Sequence, residues 1–311
     1  MKGTVLFLFL AFVVGIKLLE WPSATYLLEL NKCPACYGTS LCEAFVTKNI
    51  TLDFYSIKAL IFNLFGSKNV LFGIYLNERI VLKKLGDRTE LDKLDATVCI
   101  MKGLAVGCQV GEALKEQDNL LHKLEKQVIQ PYGSSLHLCP SSAHLNVLIT
   151  NYEESKDSTS RNVFLGIIWT VISVNPEPLI LQILRAENGW PVPKYKGACG
   201  RIIVEEYVGE MLYMYHRAPW LQRASFAFQL LMAALNFTND HPDFSFYLTD
   251  ISPDNIAVDS YGKIKFIDLE NVIVVNKNIN EEGLYMDKIR QWHLKFNSVI
   301  VINYSVYVER K

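Results

Sequence analysis

Two aspartates, an asparagine and a lysine recur at spacings that could serve one reaction. In YLTDISPDNIAVDSYGKIKFIDLEN, residues 247–271, Asp250 is followed five positions on by Asn255 and 18 positions on by Asp268. An aspartate at the head of such a loop can orient an acceptor hydroxyl and take its proton. An amide oxygen and a second carboxylate can hold a divalent cation against a polyphosphate. Far upstream, Lys83 ends the apolar run Ile80-Val81-Leu82, where its ammonium would reach α- and β-phosphates. The chemistry this set could perform is phosphoryl transfer from ATP with Mg²⁺ or Mn²⁺. Asp250 would be the base, Lys83 the phosphate anchor, and Asn255 and Asp268 the metal ligands.

Those four residues need elements to bring them together. Residues 69–85, NVLFGIYLNERIVLKKL, alternate apolar and polar positions, which predicts a hairpin with its turn at Asn77-Glu78 and its last strand at 79–85. A short apolar helix or strand is expected at 57–64, and an amphipathic helix at 112–130. Residues 163–174 are nearly all apolar, predicting a buried helix stopped at Asn175-Pro176. Strands are expected at 179–184 and 201–208 around the loop GWPVPKYKGACG. The second of these, RIIVEEYV, reads as a strand entering a hinge, whose backbone at Glu205 and Tyr207 would hydrogen-bond adenine. A helix at 220–235 and short strands at 247–248, 256–258 and 263–267 complete an α+β pattern with a sheet-rich first lobe.

The Asp, Asn and Asp spacing is that of a protein-kinase catalytic loop followed by its metal-binding aspartate. Together with LNKCPACYGTSLC, IVLKKLG, NPEPLILQ, GWPVPKYKGACGR and DISPDNIAVDSYGKIKFIDLENV, it carries a resemblance. The sequence resembles the divergent protein kinase domain family of secretory-pathway proteins, and within it the deleted-in-autism-1-like branch, over residues 28–277. The resemblance implies a bilobal protein-kinase-like fold with a disulfide-rich N-terminal extension, a secretory address and ATP-related chemistry. On that reading the chain divides into a leader (1–24), a Cys-rich segment (25–66), an N-lobe with an insertion (67–204), a partial C-lobe (205–277) and an atypical tail (278–311). Only 43 residues follow Asp268, so the C-lobe is expected to be truncated.

Departures from the kinase pattern bear on activity. Leu248-Thr249 stands where His-Arg is usual, and Ser252 where many such enzymes carry a lysine. Leu269-Glu270 replaces Phe-Gly, adding a carboxylate beside the metal position. No intact glycine-rich phosphate loop precedes Lys83; Gly66-Ser67 and Gly73 are remnants. The helix before NPEP has no glutamate, which leaves Glu90, Glu112, Glu153 and Glu154 as unranked partners for Lys83. With nucleotide absent, Lys83 and Asp268 are expected to lie within a few ångströms of each other, with Asp250 pointing into the same cleft. Asp254, in a polar turn, reads as a capping residue. Two function classes follow: a lumenal phosphotransferase, or a pseudokinase that uses the cleft as a scaffold for a protein partner. A disulfide-stapled interaction domain unrelated to kinases is a third.

Bulk properties set the compartment. Half of the residues are hydrophobic and 31 basic residues balance 32 acidic ones, so neither a disordered chain nor a nucleic-acid footprint is expected. The apolar stretch 5–16 between Lys2 and Lys17 spans about 18 Å as a helix, too short for a bilayer core. It reads as a signal peptide cleaved near Ser23-Ala24, or as an uncleaved anchor, the only membrane contact expected. Six of seven cysteines fall in the first 140 residues, which favours disulfides in an oxidising lumen and leaves one thiol over. Sequons at Asn49, Asn236 and Asn303 fit the same compartment. The expected partners are a nucleotide and a protein acceptor or receptor, in the Golgi, the endoplasmic reticulum or outside the cell.

Overall fold

The computed structural model describes residues 27–53, 69–117, 119–129, 135–153 and 160–278. The leader, the apolar run at 57–64, Glu154, Gly66-Ser67 and the tail beyond Asn278 lie outside the described residues. The chain is α+β, with one five-stranded antiparallel sheet in the order β1-β2-β3-β6-β5 and two three-stranded sheets, β10-β9-β7 and β4-β11-β8.

The first sheet is built from β1 (Ile50–Leu52), β2 (Val70–Tyr75), β3 (Glu78–Lys84), β5 (Tyr195–Cys199) and β6 (Ile202–Glu206). β2 and β3 join through Leu76 and Asn77, both at positive φ, the two-residue turn whose twist matches paired strands. The hairpin expected at 69–85 therefore forms, with its turn one residue earlier. Alternation along β3 sends Ile80 and Leu82 into a small core with Ile202, Val204 and Leu28. The period of two then turns Val81 and Lys83 to the opposite face, where both line a cleft. β6 does the same: Ile202 and Val204 join the small core while Glu205 faces the cleft.

Between β3 and β5 the chain forms a helical layer. α1 (Cys42–Val46) precedes the sheet; α2 (Arg88–Met101), α3 (Val110–Lys115), α4 (Leu120–Gln127), α5 (Leu145–Ile149), α6 (Arg161–Val174) and α7 (Glu177–Ile183) follow β3. α2 opens on a capping box in which Glu90 N donates to Asp87 Oδ1 and Asp87 N donates to Glu90 Oε2. The single helix expected at 112–130 is instead two, α3 and α4, because Asn119 in the left-handed region breaks the register. The strand expected at 179–184 is also overturned: residues 177–183 are the helix α7, buried on every side. Pro178 in its first turn suits a helix start, and an all-apolar run does not itself distinguish a buried strand from a buried helix.

The remaining elements are β4 (His137–Cys139), β7 (Glu210–Met211), α8 (Trp220–Asn239), β8 (Phe244–Leu248), β9 (Ile256–Val258), β10 (Ile264–Phe266) and β11 (Val272–Asn276). β4, from within the helical layer, pairs in parallel with β11 near the end of the described chain. The main core runs through both regions.

The Cys-rich segment is part of the sheet region. Gly38 bridges to Gly200, and disulfides join Cys33 to Cys36, Cys42 to Cys199 and Cys99 to Cys108. Cys139, buried on β4, takes part in none of the three. Gly200 sits at φ +60, and a Cβ there would stand 1.7 Å from Leu28 O, so only glycine admits this approach. Beside it Arg201, 2% exposed, pairs with Glu29 and Asp95, and Nε donates to Ala35 O. That network ties the N-terminal segment to α2 and β6.

Candidate active site

Lys83 occupies the wall of a cavity of about 510 Å³ between the five-stranded sheet and the loops after β6, β8 and β10. Its ammonium lies 2.8 Å from Glu177 Oε1 and 3.1 Å from Glu205 Oε2, and donates to Ile267 O at 2.5 Å. Glu177 and Glu205, not Asp268, are therefore its nearest countercharges, while Asp268 adds a further attractive charge. Lys83 touches the backbone of the preceding residue, and two buried glutamates take the ion pairs. Of the four glutamates considered from sequence, Glu90, Glu112 and Glu153 do not pair with it, and Glu154 lies outside the described residues. Glu177, the first residue of α7 and part of the NPEP segment, was the missed residue. Its legible signal was an acid at the head of an otherwise apolar run.

Glu177 is fixed from several directions. Its N–H donates to Asn175 Oδ1, and Leu269 N donates to Glu177 Oε1. Burial pushes its carboxyl well up, against the pull of Lys83; Glu205 is raised by burial in the same way. Burial disfavours the Lys83 charge, yet the two carboxylates outweigh it and hold Lys83 above the ordinary lysine range. Burial is the main cause at both; the neighbouring charges of Glu205 and Asp268 add to it at Glu177, and that of Asp268 adds to it at Glu205. Glu205 Oε1 is buried and accepts no hydrogen bond among the described residues.

The opposite wall comes from the loops that β8, β9 and β10 present. Pairing of Leu248 with Val272, and the bond from Thr249 Oγ1 to Asn271 O, bring 249–255 beside 267–271. Ile267 N donates to Asn255 O, which sets Asn255 and Asp268 at the same cavity. Asn255 Nδ2 donates to Asp250 O at 3.2 Å, so its amide oxygen is the group it can offer a cation. Asp250 itself is exposed and does not line the cavity; Asp254, expected as a cap, does line it. Glu270 also faces the cavity, receiving Asn175 Nδ2 on Oε2 and Asn271 Nδ2 on Oε1, each at 3.2 Å. Burial, then Asp268, Glu90 and Asp250, push its carboxyl up to about 7.

At the hinge, Glu205 and Tyr207 sit differently from a simple adenine-binding backbone. Glu205 turns its side chain to Lys83, and Tyr207 N donates to Arg79 O. The Tyr207 ring takes the Arg79 guanidinium at 4.1 Å and packs edge-on to Phe72, forming an aromatic lip to the cavity.

The lining carries nine carboxylates against three cationic side chains. A bare polyphosphate would be repelled from such a wall, whereas one carrying divalent cations would not. Among the described residues no three His, Cys, Asp or Glu side chains gather at metal-binding separation. That is compatible with a cation shared between one or two protein ligands and phosphate oxygens. The cavity volume falls in the range of nucleotide-sized sites, and the residues present fit a metal-bound nucleotide.

A β-strand lysine paired with a buried helix glutamate, facing a loop asparagine and a strand-end aspartate, defines a protein-kinase-like domain. Comparison with known proteins agrees. The model described as the protein-kinase domain of FAM69 matches residues 168–287. Divergent protein kinase domain 2A of Xenopus tropicalis is 36% identical over 289 residues, 87% of this chain and 66% of that protein. The Homo sapiens form is 35% identical over 290 residues with the same coverage. Divergent protein kinase domain 2B of Homo sapiens is 27% identical over 267 residues, 80% of this chain and 61% of that protein. The chain belongs to the divergent protein kinase domain family, and spans 66% of the length of the 2A relatives it matches. Among solved structures, the Rv3197–erythromycin complex from Mycobacterium tuberculosis aligns over 65% of this chain and 42% of that one. Its 13% identity and TM-score of 0.28 carry no argument.

Proposed function

We propose that the cleft binds a nucleoside triphosphate, as ATP with Mg²⁺ or Mn²⁺, and serves phosphoryl transfer to a protein acceptor in the secretory pathway. The observation that carries this reading is the Lys83–Glu177 pair, anchored to Ile267 O beside Asp268. Glu177 and Glu205 hold the ammonium charged and aimed at the cavity, ready for phosphate oxygens. Asn255 and Asp268 would hold the cation, which when bound neutralises charge on the phosphates. Asp250 would receive the acceptor hydroxyl's proton at the open edge of the cavity. Three disulfides support an oxidising compartment.

One observation favours a second reading, a nucleotide-binding pseudokinase that engages a receptor or cargo. Asp250 is exposed outside the lining, and Thr249 replaces the arginine that would steady its loop. The test is a thermal shift with ATP and Mn²⁺, paired with radiolabel transfer. Cation-dependent stabilisation should vanish in Lys83→Met and Asp268→Asn. A shift that persists in Asp268→Asn overturns nucleotide binding at this cleft. Binding without transfer, insensitive to Asp250→Ala, selects the pseudokinase.

A further inference from the structure

Glu205 is 1% exposed and lines the cavity. Lys83 holds one of its carboxylate oxygens, Oε2, at 3.1 Å. The other, Oε1, receives no hydrogen bond among the described residues. A buried carboxylate oxygen without a donor is costly, more so than a neutral acceptor. The terminal torsion of a glutamate is soft, so Oε1 can turn to a group in the cavity while Oε2 stays with the ammonium. What the carboxylate lacks is an N–H or O–H donor.

Its place in the sheet says which part of a nucleotide would supply that donor. In the β3–β6 register Lys83 stands opposite Ile203, Val81 opposite Glu205 and Ile80 opposite Glu206. Glu205 therefore lies two residues on the hinge side of the lysine, about 7 Å along the strand. Past it, Tyr207, Val208 and Gly209 continue the cavity wall. A triphosphate drawn to Lys83 and Asp268 would carry its base to this end. Val81, from the five-stranded sheet, and Ala257, from the sheet β10-β9-β7, both line the cavity. Small apolar groups of this kind suit the two faces of a planar ring, and a ring held between them presents its edge to Glu205. Phosphate oxygens only accept hydrogen bonds at neutral pH, and the carboxylate would repel them.

We propose that Glu205 selects the base: its second oxygen accepts a hydrogen bond from the exocyclic amine of adenine and turns away 6-oxopurines, whose carbonyl oxygen would face a carboxylate. The proposal rests on the nucleotide reading of the cleft and adds to it a side chain that distinguishes one purine from another. A site built around such a bond discriminates strongly against an analogue that leaves its polar group unpaired.

The test is calorimetric titration of the full chain, with Mn²⁺, against ATP, purine riboside triphosphate (which lacks only the amine) and inosine triphosphate. ATP should bind about 10- to 100-fold more tightly than purine riboside triphosphate, as expected for a hydrogen bond to a charged acceptor. Inosine triphosphate should bind most weakly. In Glu205→Met, which fills a similar volume without an acceptor, the three affinities should converge. In Glu205→Gln, whose amide can turn an N–H to the carbonyl, inosine triphosphate should bind better than it does to the unmodified protein. Equal affinity for ATP and purine riboside triphosphate in the unmodified protein overturns the proposal while leaving nucleotide binding intact. So does discrimination undiminished in Glu205→Met, which would assign it to the hinge backbone. Binding of none of the three is a different failure, that of the cleft reading, and removes this assignment with it.

Discussion

Lys83 and Glu177 stand 2.8 Å apart across 94 residues of sequence, with Glu205 as the ammonium's second carboxylate. The pair joins the hairpin strand β3 to the buried start of α7. Since α7 is enclosed by the main core, the glutamate has little freedom to leave its lysine. The contact is therefore as much part of the fold as of the candidate site.

Lys83→Met should cost about 3–5 kcal/mol at neutral pH, because it leaves two buried carboxylates without their cation. Both glutamates are already raised by burial, so without Lys83 they should take up protons on folding. A carboxyl raised in the folded state stabilises below its unfolded value and loses that contribution as pH rises. The deficit should thus shrink on acidification. Urea denaturation between pH 5 and pH 8 would read this; a pH-independent deficit would contradict it.

Glu270 should impose a pH dependence of its own. Its folded value of about 7 lies above the ordinary carboxylate range. Its stabilising contribution is full at acid pH and is lost as pH rises towards and through 7. Glu270→Gln should remove that decline, so the variant's melting temperature should rise relative to the unmodified protein between pH 5 and pH 7.5. Parallel melting curves across that window would rule the assignment out.

The disulfides should differ sharply in weight. Cys42–Cys199 closes a separation of 157 residues and Cys33–Cys36 one of three. In the chain-entropy account the longer loop contributes up to about 5 kcal/mol. The double Cys42→Ser, Cys199→Ser variant should therefore melt far below Cys33→Ser, Cys36→Ser in calorimetry. Equal losses would remove loop length as the explanation.

Asn49 is exposed in the turn before β1, following Lys48 at positive φ. Asn236 is half-buried inside α8. Expressed through the secretory pathway, the protein should show a glycosidase-sensitive mobility shift that Asn49→Gln reduces. A shift unaffected by that substitution would place the glycan elsewhere, and absence of any shift would weigh against the secretory address.

The family and the local chemistry were legible in the sequence because they are local. The Asp250 to Asp268 spacing, the β2–β3 alternation and the break at Asn175-Pro176 each act through neighbours a few residues away. The same reading took residues 179–184 for a strand, since a short fully apolar run looks alike in either state once both sides are buried. It joined α3 and α4 because one left-handed Asn119 leaves little trace in a periodic pattern. It also assigned Asp268 as the countercharge of Lys83. Only tertiary packing could place Glu177 there, since its carboxylate reaches Lys83 through the stacking of α7 beneath the sheet. Sequence determined which groups were available and on which face of β3 the lysine would fall. The structure decided which buried carboxylates it met, because burial makes an unpaired charge costly and the packed core determines which partners come within reach.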